Sequence, residues 1–413
     1  MKSSEFFEAG SENAQGPLAG LRILEATTTW AGPMCGCLFA DLGAEVIKVE
    51  TPAGEVARSL PPHLPGTDPA LSFMHQTVNR GKRSLTLDLR QTDGQEIFRK
   101  LATTSDVVVE NFRPGTVSKW GIGYLDLQPY KGDLVYVSIS GFGQYGPESD
   151  QAGYDPIAQA SSGWLSLNGE TNGLPLKAPT FLADDLAGLH AAFSTLAALR
   201  HRDRTGEGQY IDVALQDALI FQSNGFPTLA AMGAELPRLG GQFMVAAPAG
   251  VFRCSDGSIM TGVLTDRHWQ VLANLIGHPE LSLDPAWATS AKRVANRDEA
   301  NALLQRYLVA KTKAETVAAF LKARLPVSAV RTYAEAAADP HVKERGMLEE
   351  IELEDGSIAP IVGPAAKLSR TPARIRAAAP TLGHDNIAIL KELGFDEDAM
   401  AALQAEGVIG DCD

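Results

Sequence analysis

The chain has 413 residues, of which 45% are hydrophobic and 21% charged; this is ordinary for a folded globular protein and enough for about two to three domains with cores of their own. A formal charge of −14 excludes generic attraction to nucleic acid or to an anionic membrane, so an anionic ligand must be met by locally gathered cations. Cys35, Cys37, Cys254 and Cys412 do not form a disulfide framework, Cys35-Gly-Cys37 lacks the spacing of a zinc site, and the eight histidines contain no HExxH pair; no metal is expected, and a reducing cytoplasm fits.

The first stretch, MKSSEFFEAGSENAQG, lacks the basic and apolar regions of a signal peptide and reads as a flexible tail over 1–16. No run of about 18 apolar residues follows, so no membrane span is expected. The strand LRILEA, a helix from about Pro33 to Leu42 and the strand EVIKVE (45–50) make a βαβ unit. Further strands are predicted at SLTLDL (84–89), DVVVE (106–110) and LVYVSIS (134–140), with a helix around Gln95 to Thr103. Nearly continuous apolar strands separated by helices point to an α/β, Rossmann-like architecture with a mostly parallel sheet covered on both faces. The first strand-to-helix turn, ATTTWAGP (26–33), lacks the glycine fingerprint of dinucleotide sites, which disfavours NAD and a nicotinamide dehydrogenase.

Cations cluster in NRGKRS, with Arg80, Lys82 and Arg83, and in ENFRPGTVSKW, with Arg113 and Lys119 around a helix opened by proline. They can bind phosphate or stand as solvated surface charge. Tyr154 and Asp155 precede Pro156 and fit a helix start with a core tyrosine equally well as a functional pair.

FLADDLAG (181–188) sets Asp184 and Asp185 side by side at the start of a helical pattern. Leu186, Leu189, Phe193, Leu196 and Leu199 recur at three- and four-residue steps, which predicts one buried helix face running to about Arg204 and ending at Gly206. Locally, Asp184 reads as an N-cap, worth about 1 kcal/mol, and Asp185 as a charge favoured by the helix dipole, worth about 0.3–1 kcal/mol. TGEGQ (205–209) is a tight turn into another strand, and a helix follows from about Gln216. After Phe226, ELPRLGGQFMVAAPAG (235–250) reads as a linker into a smaller domain, with a hairpin turning at Asp256-Gly257 and helices to about Arg324. A strand-and-turn stretch over 348–369 leads to short terminal helices.

Taken in order, GLRILEATTTWAGPMCGCLFADLGAEVIKVE, NRGKRSLTLDL, DVVVENFRPGTVSKWGI, SISGFGQYGP, GYDPIAQASSG, DDLAGLHAAFSTLAALRHRDRTGEGQYIDVAL, DPHVKERGM and TPARIRAAAPTLGHDN resemble the class III CoA-transferases of the CaiB/BaiF type, from about Leu18 to about Glu406. The resemblance implies that Asp184, four residues before Gly188 in a D-x-x-x-G helix start, attacks an acyl-CoA to give a mixed anhydride and then an aspartyl-CoA thioester. A helix N-terminus favours the attacking anion, with one carboxylate oxygen held and one free. It implies that Thr28, Thr29, Trp30 and Ala31 line the site, that Tyr154 and Asp155 belong to it, and that Asn111, Phe112, Lys82 and Lys119, with Arg83 and Arg113 beside them, meet CoA. Two positions depart from relatives: Trp30 where a formyl-CoA transferase pattern has glutamine, and Thr51 where some have arginine.

The same resemblance implies a large Rossmann-like domain built from both termini (17–225 and 340–413), linkers and a smaller α+β domain over 226–339, and an interlocked homodimer, or a heteromer with a homologous subunit. Coenzyme A and acyl-CoA enter as substrates, with no permanently bound cofactor; the expected donor is succinyl-CoA and the acceptor a dicarboxylate. Two rivals share the fold. An α-methylacyl-CoA racemase needs two bases about one carbon, and its histidine is replaced by Tyr154 while His190 points elsewhere on its helix. A non-catalytic partner subunit is hard to reconcile with Asp184.

Overall fold

The computed structural model describes residues 2–411; Cys412 lies outside the described residues. Its first elements, in chain order, are β1 (Arg22–Ala26), α1 (Ala31–Asp41), β2 (Glu45–Glu50), α2 (Phe73–Val78), β3 (Arg83–Thr86), α3 (Thr92–Thr103), β4 (Val107–Glu110), β5 (Val135–Ser140), α4 (Asp155–Ser161), α5 (Leu182–Thr205), β6 (Gln209–Ala214) and α6 (Leu215–Phe221). The strands form a six-stranded sheet in the order β3-β2-β1-β4-β5-β6. Every neighbouring pair in it is parallel, with Ile23 of β1 opposite Val46 on one side and Val107 on the other. Parallel neighbours require crossovers, which the intervening helices supply. Chain order reverses between β1 and β4, and that reversal opens a crevice at the carboxyl ends of the strands.

Successive strand residues point to opposite faces, so nearly all-apolar strands feed two cores. Ile23, Val46, Val107, Val135 and Val137 pack with Cys35 and Phe39 of α1 and the alanines of α5. Leu24, Ile47, Leu85, Val108 and Tyr136 pack with Ile97, Phe98 and Leu101 of α3. Each fully buried aliphatic side chain contributes about 1.5–3 kcal/mol.

Helix α5 departs from its expected orientation. Its buried face is Ala183, Ala187, Ala191, Thr195 and Ala198, with Leu199 buried and Leu186 packed on the core as expected, whereas Leu189, Phe193 and Leu196 are 52%, 71% and 37% exposed. The small residues face inward because α5 lies close against α1. A Cβ added to Gly188 would stand 2.8 Å from the Ala31 carbonyl oxygen. Gly206 closes the helix in the left-handed conformation.

By contact density the chain forms two compact units. The first takes in residues up to Trp164, Lys177–Ala231 and the chain from Pro340 onward; the second comprises Leu165–Leu176 and Met232–Asp339. The second unit holds β7 (Ala249–Cys254), β8 (Gly257–Gly262), α7 (Asp266–Leu275), α8 (Arg297–Leu308), α9 (Lys313–Lys322) and β9 (Val327–Ala329). Its antiparallel sheet β7-β8-β9 covers a core of Phe252, Ile259, Trp269, Leu304 and Phe320. Cys254 pairs with Gly257, so the hairpin turns at Ser255-Asp256, one residue earlier than expected, and Gly257 opens β8 with a positive φ.

The first unit resumes with an antiparallel hairpin of β10 (Leu348–Glu352) and β11 (Ile358–Val362) and with α10 (Asn386–Glu392) and α11 (Glu397–Ala405). Ile389 and Leu390 of α10 and Met400 and Leu403 of α11 complete the second core of the parallel sheet. Within the stretch expected as a loose tail, Glu8 pairs with Arg370 at 2.7 Å and the Gln15 carbonyl accepts from Arg376 at 2.6 Å.

Candidate active site

The crevice at the β1/β4 reversal holds a cavity of about 310 Å³. Thr28, Thr29 and Ala31 reach it from the end of β1, Asn111, Phe112 and Arg113 from the end of β4, Tyr154 from the start of α4, and Asp184 from the first turn of α5. These are eight of the sequence-selected residues, brought together from segments far apart in the chain.

Asp184 is not the N-cap. Helix α5 begins at Leu182 after Phe181, so Asp184 occupies the third helical position. The cap comes from α4: Asp155 Oδ1 accepts the Ala183 N–H at 2.7 Å, while Gln159 Nε2 donates to Asp155 Oδ2 at 2.7 Å. A foreign carboxylate thus satisfies an orphan donor of this helix, and the Asp184 side chain is left for the cavity. The expectation that one of its oxygens is held by an N–H is corrected: no donor among the described residues bonds its carboxylate. Burial, then the like charges of Asp155 and Asp185, push Asp184 up to about 8.

Gly188 explains the spacing. It lies one turn beyond Asp184 on the same helix face, and its missing side chain lets α5 settle on the Ala31 carbonyl and on Met34. That approach sets Asp184 beside the Thr28–Ala31 turn. Asp155 itself is 2% exposed and acts on α5 from beneath, whereas Tyr154, read locally as a core tyrosine, is 69% exposed at the cavity rim.

The Thr28–Ala31 turn is held by long-range partners. Asn111 clamps Thr28 in both directions, accepting its N–H at 2.9 Å and donating to its carbonyl at 2.8 Å. Thr29 has φ 66°, a left-handed conformation that costs a β-branched residue about 1–3 kcal/mol. Its N–H is accepted by Glu55 Oε2 at 2.7 Å. Trp30, expected among the lining residues, turns away: its indole N–H donates to Asp185 Oδ1 at 2.6 Å, and its ring packs on Phe73 and Phe181. This also assigns Asp185, which ties α5 to the turn.

Two expected CoA contacts are engaged by carboxylates of the protein itself, Lys82 buried and Arg83 partly exposed. Lys82 Nζ lies 2.7 Å from Glu25 and donates to the Pro33 carbonyl and Asn79, with its side chain fully covered. Arg83 is engaged by Glu45, Asp385 and Glu392. Arg80 is likewise tied to Asp41 at 2.7 Å. Buried cations require such partners, and these carboxylates lie far off in sequence. Arg113 carries the positive charge among the cavity's lining residues, while Lys119 is exposed on the short helix Thr116–Lys119.

A second cavity of about 440 Å³ opens at the ends of β2 and β3, lined by Thr51, Asp88, Arg90 and Trp120 among others, and Phe112 borders both cavities. Arg90 stands on the wall with Thr51, its guanidinium paired with Asp88 at 2.8 Å. Arg90, Glu55 and Lys48 were missed from sequence. Lys48 had a legible signal, being a charge inside a strand whose apolar neighbours require burial on both faces. Among the described residues no group of three His, Cys, Asp or Glu side chains is placed to hold a metal, and no helix is long and apolar enough to cross a membrane.

The sequence pattern described as CoA-transferase family III matches residues 18–386. The chain is 36% identical over 389 residues to a succinate–glutarate CoA-transferase of Agrobacterium fabrum, covering 92% of this chain and 96% of that protein. It is 34% identical over 404 residues to the succinyl-CoA–L-malate CoA-transferase beta subunit of Chloroflexus aurantiacus, covering 95% and 98%. The crystal structure of a CaiB/BaiF family protein from Brucella suis superimposes with a TM-score of 0.81 at 34% identity, covering 92% of this chain and 99% of that one. With the parallel sheet, the β1/β4 crevice and this similarity along nearly its whole length, the chain belongs to CoA-transferase family III.

Proposed function

We propose that the protein moves CoA from an acyl-CoA donor to a carboxylic acid through Asp184. The observation that carries this reading is a carboxylate at the cavity wall whose own helix is capped by another side chain, leaving both its oxygens unbonded. In the first step an Asp184 oxygen attacks the thioester carbonyl, the C–S bond breaks, and CoA leaves as thiolate with an acyl–aspartyl anhydride formed. The thiolate then attacks the aspartyl carbonyl of that anhydride, which releases the donor's carboxylate and leaves an aspartyl-CoA thioester. The acceptor carboxylate runs the two steps in reverse and regenerates Asp184. Covalent relay keeps the thioester's free energy, provided that water is excluded from the reacting groups while the intermediates last.

The relatives' names point to succinyl-CoA as donor and a dicarboxylate as acceptor. Arg113 at the cavity suits either a carboxylate or a phosphate oxygen. The two cavities meeting at Phe112 suit a long ligand whose thioester end lies beside Asp184. No histidine lines the Asp184 cavity, and His190 faces Gln222 and Phe221 instead, which favours transfer over racemisation. The exposed apolar stripe on α5 supports assembly with a second copy, and free, buried Cys35 and Cys37 suit a reducing cytoplasm.

The test supplies succinyl-CoA without acceptor and adds hydroxylamine. Asp184 should become a hydroxamate, located by mass spectrometry, and Asp184→Ala should lose CoA exchange while remaining folded. Donor-dependent exchange with no modification of Asp184 would overturn the covalent route and favour direct attack of the acceptor on bound acyl-CoA.

A further inference from the structure

Below the Thr28–Ala31 turn lies a buried ring of charges that the transfer chemistry does not use. Glu25 of β1 lies 3.3 Å from Lys48 and 2.7 Å from Lys82, and Lys48 lies 3.0 Å from Glu55. Asn79 closes the ring, accepting from Lys82 at 3.0 Å and donating to Glu55 at 3.3 Å. A Cβ on Gly36 would fall 1.7 Å from Glu25 Oε2, so α1 is shaped to fit over the ring. With two ammonium and two carboxylate groups the ring is neutral, which makes its burial sustainable. It is also attached to the turn: Lys48 donates to the Thr27 carbonyl at 3.0 Å, and Glu55 accepts the Thr29 N–H.

We infer that Glu55 is a positioning residue of the transfer reaction: its carboxylate, anchored by Lys48, holds Thr29 in the left-handed conformation that keeps the cavity-lining turn in register with Asp184. This deepens the proposed function and rests on Asp184 as the reacting group. A threonine does not adopt φ 66° unaided; the Thr29 hydroxyl bonds back to the Thr28 carbonyl at 2.6 Å, while the Thr29 N–H is accepted by Glu55. With Asn111 fixing Thr28 and Glu55 fixing Thr29, the turn has one conformation before substrate arrives. Displacing reacting groups by about 1 Å can cost on the order of 100-fold in rate. Burial opposes the Glu55 charge, but the Lys48 ammonium beside it outweighs burial and holds the carboxyl well below its usual range, so the acceptor stays ionised.

Removing Glu55 alone leaves the buried ring with one more ammonium than carboxylate, so the test uses two neutral pairs. Lys48→Met with Glu55→Gln keeps an acceptor for the Thr29 N–H; Lys48→Met with Glu55→Leu does not. With thermal unfolding confirming that both fold, the Leu pair should show a kcat for CoA exchange at least tenfold below the Gln pair, at equal KM for acyl-CoA, and correspondingly slower hydroxylamine trapping. Equal kcat in an active system would overturn the positioning role while leaving the reading of Asp184 intact. Absence of exchange and trapping in the unsubstituted protein would instead remove that reading itself, and the inference with it. Should neither pair fold, Glu55→Asp keeps the charge opposite Lys48 but withdraws the acceptor by one methylene. A kcat loss of tenfold at unchanged KM supports the role, and an undiminished kcat overturns it.

Discussion

Asp184 carries the sharpest consequence at the scale of one residue. In the proposed transfer its anion is the attacking species, and burial with the like charges of Asp155 and Asp185 raises its carboxyl to about 8. Since kcat/KM reports the free enzyme's ionisation, it should rise with pH and level off above about 8, falling about tenfold per unit well below that value. Asp185→Asn keeps an oxygen for the Trp30 indole but removes a like charge, so the rising limb should move to lower pH. A pH profile centred near 4 in the unsubstituted protein would contradict the environment described. Much of the site was legible at this scale: Asp184, Tyr154, Thr28, Thr29, Ala31, Asn111, Phe112 and Arg113 all reach one cavity. What was not legible was pairing. Lys82 looks like a surface cation beside a strand, and the Glu25 that claims it is 57 residues away. Trp30 looks like a lining residue until Asp185, 155 residues on, takes its N–H.

Among the elements, α5 shows how periodicity can be right and burial wrong. The helix carries two stripes at helical spacing, one of large residues and one of alanines, and hydrophobic size alone favours the large one for the interior. Close approach to α1 reverses the choice, because only small side chains fit between two helix backbones that nearly touch. Gly188→Ala tests this directly. Its Cβ would meet the Ala31 carbonyl oxygen at 2.8 Å, backbone that cannot rotate away, so the helix must shift. Overpacking of this kind costs about 1–3 kcal/mol. Because Asp184 lies on the same helix face one turn earlier, kcat should fall by a larger factor than the population of folded protein. Denaturant melts beside single-turnover trapping separate the two, and a destabilised variant with full trapping rate would show that the approach serves packing alone.

For the molecule as a whole, the parallel sheet was readable because burial on both faces forces strands to be apolar throughout, as in VVVE and VYVSIS. The end of β3 was not: the strand stops at Thr86, and the Leu87–Arg90 segment leaves the ladder to line the second cavity. Leu189, Phe193 and Phe221, 52%, 71% and 75% exposed, leave an apolar face on α5 and α6 that a second copy would cover. Sedimentation should find a dimer, and Phe193→Glu should shift it towards the monomer; a monomeric unsubstituted protein would refute that assembly. The cap on α5 bears on how such a site could be moved between proteins. Helix α5 grafted alone into another scaffold would carry Asp184 but leave the Ala183 N–H without Asp155, which lies 28 residues upstream. Gly188 would likewise lose the carbonyl it was shaped to meet. The smallest portable unit is therefore discontinuous: segments 27–31, 154–159 and 182–188, together with the Asn111 and Glu55 that hold the first of them.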